Sequence, residues 1–138
     1  MYVKLDEGAY MPTRAHDTDA GLDLYSRETK VITPGEDGKV FDTGVHIELP
    51  RGCFGKIESK SGLNVNHGIV SCGGVIDEGY SGSIAVKLYN LGVEPYTVVK
   101  GDKIAQLVIT LYAKPELELV DEISGGERGE AGFGSTGR

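Results

Sequence analysis

The sequence predicts an all-β domain built as a sandwich or barrel, and three observations carry that reading. Short apolar runs recur along the 138 residues with turn residues between them. The 21 glycines, about twice the usual share of roughly 7%, are spread along the chain, as many tight turns require. Helical periodicity is almost absent. Many short strands at close spacing suit a jelly-roll arrangement. The length fits one domain that buries a core without disulfide staples.

The expected strands, in order, are Tyr2–Leu5, Leu22–Tyr25, Val31–Thr33, Lys39–Thr43, Val45–Leu49, Cys53–Glu58, Ile69–Ser71, Ser83–Asn90, Tyr96–Val99, Lys103–Ala113 and Glu116–Val120. In two of them the alternation is strict. Val45, Ile47 and Leu49 alternate with His46 and Glu48, and Ile84, Val86 and Leu88 alternate with Ala85, Lys87 and Tyr89. A period of two marks a strand with one buried face. Pro34-Gly35, Pro50-Arg51-Gly52 and Lys100-Gly101-Asp102 read as turns. The one helical candidate is a short turn over Gly62–Asn66, with Gly68 as its stop. From Ser124 the composition changes to SGGERGEAGFGSTGR, with six glycines and one aromatic, Phe133. Such a segment cannot build a core. Residues 1–123 are therefore read as the β domain and 124–138 as a flexible arm.

A net charge of −7 weighs against nucleic acid as the main partner, because a duplex binder needs a basic face. It leaves room for a small anion held by backbone N–H groups and a few cations. No apolar run approaches the roughly 20 residues that cross a bilayer, so no membrane role is expected. The first ten residues hold Lys4, Asp6 and Glu7 and lack a signal-peptide core, which gives an intracellular, cytoplasmic expectation. Cys53 and Cys72 have no metal-ligand spacing and read as small core or turn residues.

Four segments have the residue types that chemistry needs. Gly132-Phe133-Gly134-Ser135-Thr136-Gly137 could clasp a phosphate with N–H groups and hydroxyls, although it lacks the Lys of a P-loop. On composition alone an unstructured tail is the simpler reading. Gly73-Gly74-Val75-Ile76-Asp77 leads an apolar pair into a carboxylate. That would set a water-activating base at the edge of a dry pocket, though a turn Asp more often serves local hydrogen bonding. Glu58-Ser59-Lys60-Ser61-Gly62 offers a cation and hydroxyls at a helix start, suited to phosphate or simply to a Ser N-cap. Three aspartates lie in His16-Asp17-Thr18-Asp19-Ala20-Gly21-Leu22-Asp23-Leu24. They fail the calcium-loop pattern but allow one carboxylate to hold magnesium through water. The histidines at 16, 46 and 67 share no spacing and read as non-catalytic.

Together these segments resemble the five ordered motifs of the trimeric dUTPase family. Ala20-Gly21-Leu22-Asp23-Leu24 is similar to the first and Lys60-Ser61-Gly62 to the second. The stretch Gly74 to Gly82 is similar to the third, Gly101-Asp102-Lys103-Ile104-Ala105-Gln106-Leu107 to the fourth, and Arg128 to Gly137 to the fifth. The resemblance covers nearly the whole chain. It implies a jelly-roll homotrimer that hydrolyses dUTP to dUMP and pyrophosphate with Mg2+, each site shared between chains and closed by the arm of a third.

By the same resemblance Asp77 is the general base, Tyr80 packs under the deoxyribose, and the hairpin backbone around Ser71, Gly74, Val75 and Ile76 meets the uracil. Lys60, Ser61, Gly62 and Gln106 hold phosphates, and Asp23 orients magnesium through water. Phe133 stacks on the base, while Arg128, Gly134 and Ser135 close on the phosphates. Lys60 and Lys103 stand where the family commonly has Arg, which keeps the charge but loses the planar fork. A dCTP deaminase, a bifunctional deaminase–triphosphatase, or a dUTP-responsive regulatory protein are the competing expectations on the same fold.

Overall fold

The computed structural model describes residues 1–72, 74–126 and 129. These form eleven strands and one short helix. The strands are β1 (Tyr2–Leu5), β2 (Gly21–Tyr25), β3 (Lys30–Ile32), β4 (Lys39–Asp42), β5 (Val45–Glu48), β6 (Cys53–Ser59), β7 (Ile69–Cys72), β8 (Val75–Ile76), β9 (Ala85–Asn90), β10 (Tyr96–Val98) and β11 (Lys103–Leu111), with α1 (Ser61–His67) between β6 and β7. Their sheets run β2-β11-β6-β8, β4-β9-β7, β1-β5 and β10-β3. All the pairings are antiparallel, and the arrangement is the all-β jelly roll the glycine-punctuated strands predict.

The core lies where the alternation puts it. Ile84, Val86 and Leu88 are buried from one face of the β9 segment, and Val45 and Ile47 from β5. Phe41, Leu24, Ile32, Ile69, Ile104 and Leu107 complete the fully buried set or nearly so. Asn90 is buried but satisfied. Its Nδ2 donates to the carbonyls of Ile32 (2.9 Å) and Glu94 (2.8 Å), and its Oδ1 accepts from Gly92 N (2.9 Å). A buried amide left unpaired would cost about 1–3 kcal/mol, so these bonds set the β9–β10 connection.

Three expectations are corrected. The run Glu116–Val120 is not a strand: Leu117 and Leu119 are 95% and 100% exposed. Its alternation supplies a face, but a strand also needs an edge to pair with, and within the described chain it finds none. Conversely, Val75–Ile76 is a strand where a loop is expected, because two residues show no period. It is β6 that makes it one, by pairing Gly55 with Ile76 and Lys56 with Val75. The Ser N-cap is also wrong. Lys60 occupies the cap position of α1 without a side-chain cap bond, and Ser61 is already helical. The stop is as expected: Gly68 is left-handed (φ 67°), and its N–H meets Asn64 O and Leu63 O.

Phe41 is 0% exposed, so Phe41→Ala leaves a cavity in the centre of the core. We expect a loss of about 3–5 kcal/mol, measured as a lower midpoint in urea unfolding with an unchanged slope.

Candidate active site

The first half of the site forms where β11 is flanked by β2 and β6. Register sets Gln106 opposite Asp23 on one side and opposite Glu58 on the other. Gly21 makes room for this, since a Cβ there would collide with the Gln106 side chain. Gln106 Nε2 donates to Ser59 O (3.1 Å). Asp23 is 5% exposed, and its two oxygens are divided between two ammonium groups. Lys60 Nζ lies 2.5 Å from Oδ1 and Lys103 Nζ 2.7 Å from Oδ2. A bulge between Lys103 and Ala105 breaks the regular ladder beside this contact.

Burial of Asp23 pushes its carboxyl pKa up, but the hydrogen bonds from Lys103 and Lys60 outweigh that and hold it below the ordinary 3.8. The same contact raises Lys103. Two lysines on one aspartate leave one net positive charge, fixed at the sheet end beside Ser61 and Gly62, both of which are exposed.

The second half is the hairpin after β7. Gly74 has φ 113°, and a Cβ there would lie 2.5 Å from that of Ile57. Only glycine lets the backbone lie this close to β6, where Gly74 O accepts from Ile57 N (2.8 Å). Ser71 N donates to Ser59 Oγ (2.9 Å), which ties β7 to the end of β6. Ile76 is buried, whereas Val75 is 65% exposed and Asp77 is exposed. The described residues therefore form no dry pocket of the expected kind around Asp77: two open hollows flank the carboxylate, one lined by Phe54, Glu78 and Tyr112, the other by Tyr80 and Ser83.

The turn that carries Asp77 is well held. Tyr80 N donates to Asp77 O (3.0 Å), and Tyr80 Oη donates to Ser83 O (3.1 Å). Glu78 accepts from Gly52 N (2.8 Å) and Tyr112 Oη (3.2 Å). These anchors, and the Lys103–Asp23 pairing, are not evident in the sequence.

The two halves are not united in one chain. Ser59 stands at one end of β6, while Asp77 follows Ile76, which pairs with Gly55 at the other. At about 3.3 Å per residue the separation is on the order of 15 Å. Arg128, Phe133, Gly134 and Ser135 lie outside the described residues.

A jelly roll with a fixed cationic cluster at one sheet end and a carboxylate on a glycine-shaped hairpin has the parts of a phosphoanhydride hydrolase. The family model described as dUTPase matches residues 7–137, and the chain belongs to the dUTPase family. A mouse protein named deoxyuridine 5'-triphosphate nucleotidohydrolase is 44% identical over 99% of this chain and 84% of its own length. The dUTPase of Staphylococcus bacteriophage 80alpha, solved with dUPNHPP, is 38% identical; the match covers 99% of this chain and 98% of that one, with a TM-score of 0.89. A mutant dUTPase from phage phi11 of S. aureus, solved to show the coordination of a structural Mg(II) ion, is 33% identical over 90% of this chain and 98% of that one, with a TM-score of 0.82.

The Asp23 contacts predict a pH signature. A carboxyl held below 3.8 in the fold contributes stability that is present above that pH and lost as pH falls through its folded-state value. Asp23→Asn lacks this contribution. Urea unfolding at about pH 7 should show the variant less stable than the parent, and the gap should narrow at about pH 2.5.

Proposed function

We propose that Asp77 is the general base of this dUTP diphosphatase. The enzyme hydrolyses dUTP to dUMP and pyrophosphate by attack of water on the α-phosphorus. The observation that carries the assignment of the base is the solvent-facing Asp77 carboxylate on a turn closed by Tyr80 N and anchored through Glu78. A base must reach the attacking water within hydrogen-bond distance, and a rigid turn keeps it there. Phosphoryl transfer needs alignment and charge neutralisation more than covalent help. Lys60, Ser61, Gly62 and Gln106 supply these for the phosphate oxygens. Tyr80 packs against the deoxyribose, and the backbone of Ser71, Gly74, Val75 and Ile76 reads the uracil edge. The arm brings Phe133 to the base and Arg128, Gly134 and Ser135 to the phosphates, excluding water other than the nucleophile.

Magnesium suits the first half of the site. Asp23 is kept ionised and immobile by its two lysines, and each oxygen retains a lone pair for a metal-bound water. Among the described residues no three candidate ligands cluster, so substrate phosphates must complete the metal's shell. When bound, the ion neutralises triphosphate charge.

We assign the working form as a homotrimer. The separation of Asp77 from the Lys60–Asp23 cluster along β6 is bridged if neighbouring chains pair unlike halves. Leu117, Leu119 and Ile123, at least 84% exposed, supply apolar surface for such contacts. Residues 1–123 then form the domain and 124–138 the arm. No helix among the described residues is long and apolar enough to cross a membrane; a cytoplasmic location fits that and the composition.

Asp77→Asn should lower pyrophosphate release from dUTP by about 10²–10⁴-fold while calorimetry still detects binding of dUTP. The parent should discriminate against UTP, dCTP and dTTP in the same assay, and ammonia release from dCTP would point to the deaminase instead. Removal of residues 127–138 should depress kcat with the thermal midpoint unchanged; a large drop in that midpoint would make the arm structural.

A further inference from the structure

Both ring nitrogens of His46 face atoms that can only accept a hydrogen bond. Nδ1 lies 2.8 Å from the carbonyl oxygen of Ser81, and Nε2 lies 3.1 Å from Oδ1 of Asp6. A neutral imidazole has one N–H, an imidazolium two, so both bonds form together only when the ring is protonated. The side chain is 19% exposed and lies at a hollow that Ser81 also lines. Ser81 follows Tyr80 directly and Asp77 by four positions, on the turn that the proposed function makes catalytic.

We infer that His46, as an imidazolium, is a positioning residue that latches the Asp77–Ser81 turn to Asp6. The inference rests on the reading of Asp77 and Tyr80 as working residues. Loss of the proton leaves a lone pair on one nitrogen, directed at an oxygen lone pair in either tautomer. One contact then becomes repulsive, and the turn loosens from β5 or from the N-terminal segment. The other anchors of the turn, Glu78 to Gly52 and the Ser83 hydroxyl to Asp42, carry no imidazole and stay in place. The latch therefore adjusts the turn without releasing it.

Other charged and titratable groups stand around the ring. Asp6 is also approached by Arg27, with Nη1 3.9 Å from Oδ2, and Arg27 in turn pairs with Asp42. Lys4 is the cross-strand partner of His46. Glu48 lies two residues along the same face of β5, and Tyr2 lines the same hollow. On the turn itself stand Asp77, Glu78 and Tyr80. Among the described residues Asp6 is the acidic group in contact with the ring, and it opposes Ser81 across it.

The test compares kcat/KM for dUTP between about pH 5 and 8, where imidazoles titrate, in the parent, His46→Gln and Asp6→Asn. Ionisation of the substrate is common to all three. The parent should show an additional decline of about three- to tenfold with rising pH, missing from both variants. Asp6→Asn is the telling one. Its amide accepts from Nε2–H or, flipped, donates to the bare nitrogen, so activity is kept and the pH limb is lost. In NMR of the free full-length chain, the amides of Gly79 to Gly82 should shift across the same pH range in the parent and stay in place in Asp6→Asn. A pH limb that survives in both variants, or turn amides that ignore the ring, overturns the latch. Activity in Asp77→Asn with the amide coupling intact would sink the base assignment and leave the latch standing.

Discussion

Hydrogen bonding of β11 to two partners at once is the constraint on which the rest depends. Lys103–Leu111 pairs with β2 from Tyr25 to Gly21 on one edge and with β6 from Ser59 to Cys53 on the other. A strand held on both edges cannot slip by one residue without exchanging its faces, and Ile104, Ala105 and Leu107 are buried on it. With the register set, Gln106, Asp23, Ser59 and Lys60 have no freedom to be elsewhere. Three stretches of sequence far apart in the chain thus meet through backbone pairing rather than through any affinity of their own side chains.

The electrostatics follow from that meeting. A carboxylate as enclosed as Asp23 would be costly alone, and burial by itself would favour its neutral form. Two ammonium groups at 2.5 and 2.7 Å reverse the balance. Each lysine is a point charge with three donors, so one N–H given to Asp23 leaves others for an anion. An arginine in the same place would present a planar fork with fixed directions. Lysine makes the cluster positive and adaptable, and under the proposed function the geometry of the phosphates would rest more on Gln106 and the backbone of Ser61 and Gly62.

Asp77 illustrates the opposite arrangement. None of the described residues encloses it; the fold supplies position, through Gly74 against Ile57 and Glu78 against Gly52, and leaves the carboxylate open. As the proposed base it would have to be covered before it acts. Leu117, Leu119 and Ile123, exposed beyond β11, would be the surface for that cover under the proposed homotrimer.

Much of this could be read in the amino acids. Period-two alternation determined β5 and β9 because one face of each must avoid water, and the glycines at 68 and 74 marked turns that other residues would strain. The ordered motifs determined the family. Tertiary structure alone decided which residues touch. Lys103 became the partner of Asp23 because β11 lies beside β2, Val75–Ile76 became a strand because β6 offered an edge, and Glu116–Val120 stayed unpaired because, among the described residues, it runs along none of the open sheet edges. His46 looked like an ordinary polar-face residue until folding brought Asp6 and Ser81 to its two nitrogens. Local pattern reports the propensity of a segment, whereas a contact depends on two distant segments sharing one register, and that is set by the packing of the whole.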